Sequence, residues 1–180
     1  MIVPFSIRPQ SQNKVARYVF FACLGSVLLL LVLNSMIGKY RGLLGLVILV
    51  FLTAAIYVYN RYMSALYTYE VTFDGNNEPV FIISQLIGKR RSTLCRVGIA
   101  SIVSVDIIDK AKRREYKVDR TVARYSYYPT MMPDKLCLIK VRSAYDKADV
   151  FVELSEEHAS LLMRYAAIAK ENSPEESDEY

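Results

Sequence analysis

Residues 18–37 and 43–59 form two apolar runs without a single Asp, Glu, Lys or Arg, separated only by Gly38-Lys39-Tyr40-Arg41-Gly42. A hydrocarbon core about 30 Å thick takes about 20 helical residues to cross, with a working range of about 17–25. Both runs fall in that range, the second near its lower end. Lipid offers no water to bond backbone N–H and C=O groups, so each run is expected to be a helix. The charged, glycine-bounded connector suits a tight hairpin exposed at one membrane surface. A signal peptide also sets basic residues before an apolar run. Here no A-x-A site follows and a second run comes at once, which favours an anchor.

Charge divides along the same line. Residues 1–59 carry Arg8, Lys14, Arg17, Lys39 and Arg41 and nothing acidic, so all 18 acidic residues lie beyond the hairpin. The formal charge of +5 belongs to the anchor, and the rest of the chain is neutral. The pI near 9.0 is therefore no nucleic-acid signature. Arg8, Lys14, Arg17 and Arg61 outnumber Lys39 and Arg41, which predicts both termini and the soluble domain in the cytoplasm and the connector outside. Tyr18, Tyr40, Tyr57, Tyr59 and Tyr62 fall near the expected interfaces. Gly25, Ser26, Gly45, Thr53, Ala54 and Ala55 are small enough for close helix approach, within the hairpin or between copies. Cys23, Cys95 and Cys137 form no CxxC and no disulfide framework; they read as buried thiols in a reducing compartment.

After the hairpin the hydrophobic period changes from helical to two. Strands are expected at 66–73, 80–87, 92–97, 99–108, 136–142 and 150–154, with a short one at 123–128. In the 99–108 strand, Ile99, Val103, Val105 and Ile107 should share the inner face. Asp74-Gly75-Asn76-Asn77-Glu78-Pro79 is a turn, because Gly and Asn tolerate positive φ. Ser155 should cap a final helix whose stripe is Leu161, Leu162, Tyr165, Ile168 and Ala169. The expected organisation is a polar arm (1–17), a transmembrane hairpin (18–62), a soluble domain (66–172) and an acidic tail (173–180). The fold class is an α-helical transmembrane hairpin plus a mainly-β domain. The latter is an antiparallel barrel or twisted sheet of six or seven strands, closed by the C-terminal amphipathic helix.

Tyr67-Thr68-Tyr69-Glu70-Val71-Thr72-Phe73, then residues 81–91 ending in Gly88-Lys89-Arg90-Arg91, then Ile99-Ala100-Ser101-Ile102-Val103-Ser104-Val105-Asp106, follow two apolar helices. This arrangement resembles bacterial membrane-anchored pleckstrin-homology-like (PH-like) proteins over about residues 15–170. The resemblance rests on architecture and apolar spacing. It implies a bacterial cell membrane protein with a seven-stranded barrel capped by a helix, serving as a binding module. It implies no catalytic residue.

Chemistry-bearing motifs are scarce. There is no glycine-rich phosphate loop, GxSxG or HExxH. The sole histidine, His158, sits at the start of the last helix and reads as a cap or core-flanking residue rather than a ligand. Asp106 and Asp109 at a strand end lack an acid–base partner. No metal site, cofactor or catalytic residue is assigned, and the expectation is a non-enzyme. The distinctive stretch is 110–134, long for a loop in a compact domain. Its Lys110, Lys112, Arg113, Arg114, Lys117, Arg120 and Arg124 give way to Tyr125, Tyr127, Tyr128, Met131 and Met132. With Lys89, Arg90 and Arg91, and with Tyr127 and Tyr128 as shallow apolar contacts, these are the candidate contacts to anionic lipid head groups or a protein partner. Each basic residue near an anionic leaflet is worth about 1 kcal/mol. Against this stands a plain solvated basic loop balanced by the acidic tail. Basic residues interleaved with aromatics also suit single-stranded nucleic acid; the anchor and the neutral domain argue against that partner. The functional expectation is a membrane-anchored binding or scaffold protein. The alternative is a structural subunit of a larger membrane complex, assembled as an oligomer through the hairpin.

Overall fold

The computed structural model describes residues 2–9, 13–36, 41–109, 121–143 and 147–172. These divide into two compact units. One comprises Ser11–Ala65 with Pro129–Met132; the other comprises Met1–Gln10, Leu66–Tyr128 and Pro133–Tyr180.

The first unit is a helical hairpin. Helix α1 spans Lys14–Met36 and α2 spans Arg41–Val58. A wider turn of π type, Tyr59–Met63, continues α2 and closes on a bond from Ser64 N to Tyr59 O of 2.9 Å. Both helices, 23 residues each when that turn is included, are long and apolar enough to cross a membrane. They pack on each other, with Ala16, Val27, Ala55 and Val58 buried. The glycines do not make this contact: a Cβ at Gly25 or Gly45 would meet nothing within 4 Å. Ser26 and Thr53 donate to the carbonyls of Ala22 and Leu49 at 2.9 and 2.8 Å, so their hydroxyls are satisfied within their own helices. The rest of the connector, residues 38–40, lies outside the described residues.

The second unit is a β-domain of two four-stranded sheets and one helix. The first sheet has the order β1-β2-β3-β4, where β1 is Phe5–Ile7, β2 Ala65–Phe73, β3 Pro79–Ile87 and β4 Arg90–Gly98. The second has the order β5-β7-β8-β6, where β5 is Ile102–Asp109, β6 Ala123–Tyr127, β7 Lys135–Arg142 and β8 Lys147–Val152. Period-two patterning explains the ladders. Tyr67, Tyr69 and Val71 of β2 and Phe81 and Ile83 of β3 point inward and are buried. On β7 both faces are buried: Cys137 and Ile139 on one side, Leu136 and Leu138 on the other. The latter pair form a cluster with Ile108 and Phe151, against which Tyr128 packs. Helix α3, Glu156–Asn172, buries Ala159, Leu162, Tyr165, Ala166 and Ala169 and packs against β5 and the 3₁₀ turn Ile99–Ser101.

Three features depart from the sequence reading. The N-terminal arm is not merely polar: Phe5, Ser6 and Ile7 pair antiparallel with Val71, Glu70 and Tyr69. The strands are not all antiparallel, because β6 runs parallel to β8. The inner face of the 99–108 stretch is Ile99, Ile102 and Ile108, while Val103 is 47% exposed. The register against β7 skips from Ile102 to Ser104, and such a bulge turns the extra residue out of the ladder. The turn after β2 agrees with its composition, with Asn77 at positive φ (62°). Gly88 takes φ +60° in the β3–β4 turn, where it permits the tight reversal.

Candidate functional site

The proposed contact residues fall in separate places. Lys110, Lys112, Arg113, Arg114, Lys117 and Arg120 lie outside the described residues. Lys89 and Arg90 are exposed at the β3–β4 turn of the first sheet, next to Ile87, itself 50% exposed. Arg124, Tyr127 and Tyr128 belong to the edge strand of the second sheet and its exit.

Two of the arginines have work inside the β-domain. Arg91 pairs with Glu70 and donates to Ser84 Oγ at 3.3 Å, while Glu70 accepts from Ser6 Oγ at 3.0 Å. The result is a polar row across all four strands of the first sheet, with Ser84 at its buried end. Arg124 lies over the Phe151 ring at 4.4 Å, a cation–π contact that seats β6 on the second sheet. Tyr125 and Tyr127 stack with centroids 6.0 Å apart and ring planes 2° from parallel. Tyr125 is the more exposed of the two.

Tyr69 joins the sheets. Its hydroxyl donates to Tyr127 O at 2.7 Å and accepts from Glu153 N at 3.3 Å. Burial pushes this hydroxyl well above the usual tyrosine range. Burial also pushes the Cys137 thiol up to about 12, with the nearby Asp106 charge adding to it, so this cysteine is not a nucleophile near neutral pH. Cys95 is raised by partial burial. His158 is a cap residue: its ring meets Ser155 Oγ, and its backbone N–H donates to the same hydroxyl at 3.4 Å. It also lies 5.8 Å from the Phe5 ring.

Sequence reasoning passed over Asn13. Its side chain, 8% exposed, donates from Nδ2 to Tyr62 O and to Pro129 O, each at 2.7 Å, and accepts from Met131 N at 3.1 Å. The available signal was an Asn directly before an apolar helix, the usual N-cap position. Nothing local reveals that this Asn binds a segment more than a hundred residues away.

Among the described residues no three His, Cys, Asp or Glu side chains gather where a metal could bind. A shallow groove runs beside β1 and β2, lined by Pro4, Phe5, Ser6, Glu70, Val71 and Thr72. Glu70 is its one ionisable residue, already paired with Arg91. No protein-family model, curated protein or solved structure matches the chain.

Proposed function

We propose that the chain is a non-enzymatic, membrane-anchored binding module, with a PH-like β-domain presented at the cytoplasmic surface of a bacterial membrane to anionic lipid head groups. The pairing of β1 with β2 carries this reading. One strand precedes the apolar hairpin and the other follows it, yet they are neighbours in one sheet. A chain whose flanks meet in one sheet crosses a bilayer an even number of times, so α1 and α2 form a complete excursion from a single face. Two mostly antiparallel four-stranded sheets followed by one packed helix support the PH-like part. Lys89 and Arg90, together with the basic residues of 110–120, supply the charge that an anionic leaflet attracts.

The test uses the full chain in nanodiscs of zwitterionic lipid or of lipid with an anionic fraction. Hydrogen exchange over residues 88–91 and 121–128 should slow several-fold in the anionic discs. The effect should vanish in Lys112→Gln/Arg113→Gln/Arg114→Gln and at high salt. Equal exchange in both discs at low salt removes lipid as the ligand.

The open surroundings of Gly25 and Gly45 favour a second reading, a subunit that assembles through the hairpin. These glycines do not serve α1–α2 packing, and small residues on a lipid-facing surface let another helix approach closely. Crosslinking in membranes should then give one defined oligomer that Gly45→Leu disperses; a monomer in both proteins excludes it.

A further inference from the structure

The helical unit contains one segment that is not part of the hairpin. Pro129–Met132 come from the excursion between β5 and β7, yet they group with Ser11–Ala65. Asn13 holds them there through its bonds to Pro129 O and Met131 N, and the same side chain grips Tyr62 O in the turn that ends α2. Its own carbonyl accepts from Arg17 N at 3.0 Å, within the first turn of α1. Both amide donors and the amide oxygen are thus engaged, and in a buried group each lost partner is costly. One side chain fastens three pieces of chain at the open end of the hairpin.

That end has the composition of a membrane interface. Tyr18, Tyr57 and Tyr59 are exposed on the helices, and Lys14 and Arg17 are exposed on the first turn of α1. With a rise of about 1.5 Å per residue, Asn13 lies about 7 Å beyond Tyr18 along the axis, the depth of lipid head groups. A loop fastened to Asn13 and Tyr62 is held at that depth. Its most exposed side chain is Met132, apolar, flexible and 61% exposed.

We propose that Pro129–Met132 is a lipid-contacting foot: Asn13 fixes it at head-group level, and Met132 enters the interfacial layer of the bilayer beside the two helices. This rests on the reading of α1 and α2 as membrane spans. It assigns the sulfur-rich end of the long excursion to lipid rather than to a protein partner.

The chain contains no tryptophan, so a single introduced Trp reports alone. Full-length Met132→Trp is placed in nanodiscs containing lipids brominated near the head group. Leu31→Trp on α1 reports whether the hairpin is in lipid, and Met163→Trp, on an exposed position of α3, reports the background. Met132 is open enough to accept the larger ring. We expect Met132→Trp to be quenched at least twofold more than Met163→Trp. Adding Asn13→Ala should at least halve that quenching while leaving Leu31→Trp unchanged. If Leu31→Trp is quenched and Met132→Trp stays at the level of Met163→Trp, the foot is wrong and the membrane reading stands. If Leu31→Trp is itself unquenched, the membrane reading fails and the foot with it.

Discussion

Each sheet of the β-domain is a three-stranded antiparallel unit with one short strand added from a distant part of the chain, and the two additions differ. β1 adds to β2 antiparallel through three residue pairs. β6 adds to β8 parallel through five. β1 is held by side chains: Phe5 lies 6.3 Å from Tyr165, Ser6 bonds Glu70, and Val3 N donates to Tyr165 OH at 3.3 Å. β6 is an exposed edge strand held by groups of the core: Arg124 lies over Phe151, Tyr127 O accepts from buried Tyr69, and Tyr128, just past the strand, packs on the Phe151 cluster. Both additions adjoin the helical unit in sequence: β1 precedes Asn13 and β6 precedes Pro129. The two sheets are therefore completed by the segments that connect the β-domain to the helices, one as a clip and one as a fixture.

The largest effect should come from the fixture. Phe151→Ala removes the ring that packs on Ile108, Leu136 and Leu138 and seats Arg124. A buried Phe→Ala change costs about 3–5 kcal/mol. Chemical denaturation of the full chain in micelles, followed on the β-domain signal, should show that loss. A cost below about 1 kcal/mol would mean that β6 and its cluster are peripheral.

An intermediate effect separates the sheets by pH. Cys137 sits on the central strand of the second sheet with its folded pKa raised from 9.0 to about 12. Below about pH 9 both folded and unfolded chains keep the proton, so the full stability is present. Above that, the unfolded chain releases a proton that the folded one retains. Stability then falls by about 1.4 kcal/mol per pH unit until the folded pKa is reached. Tyr69 acts in the same direction from a higher starting point. Cys137→Ala should remove one proton's worth of this alkaline slope. Cys95→Ala, on the half-buried edge of the first sheet, should remove less. Equal slopes in wild type and Cys137→Ala would show that the thiol is not shielded in solution.

How legible these features were follows from how local their causes are. The helices announce themselves because their uncharged apolar runs are long enough to cross a membrane. β2, β3, β7 and the α3 stripe show because alternation or helical spacing extends over many residues. β1 does not show: Phe5-Ser6-Ile7 between Pro4 and Pro9 is too short for a period, and its partner lies beyond the whole hairpin. β6 was visible only as aromatic alternation within a basic stretch, and its parallel pairing depends on where β8 returns. The candidate site divides the same way. Charge marked Lys89, Arg90, Arg91 and Arg124 equally, but only tertiary neighbours engage Arg91 with Glu70 and Arg124 with Phe151. Asn13 was hidden because its three partners converge from three separate stretches of chain.

The smallest effect tests the clip. Phe5→Ala removes a partly buried ring from the contact with Tyr165 and His158. Aromatic pairs contribute about 0.5–1.5 kcal/mol beyond their area, so a global loss of about 1 kcal/mol is expected. The local consequence should be sharper. With β1 loosened, the edge of β2 at Tyr69 and Val71 loses its partner, and hydrogen exchange there should rise at least tenfold while β7 and β8 stay protected. A loss as large as that of Phe151→Ala would instead make β1 as integral as β6. The same logic bears on any fragment starting at residue 66. It lacks β1, so it leaves open an edge of β2 that the full chain covers, and an uncovered edge strand invites pairing with another chain. Joining residues 2–9 to 65–172 by a short linker should restore a monomer where the simple fragment associates, because β1 and β2 are neighbours in the sheet and the hairpin occupies only the connection between them.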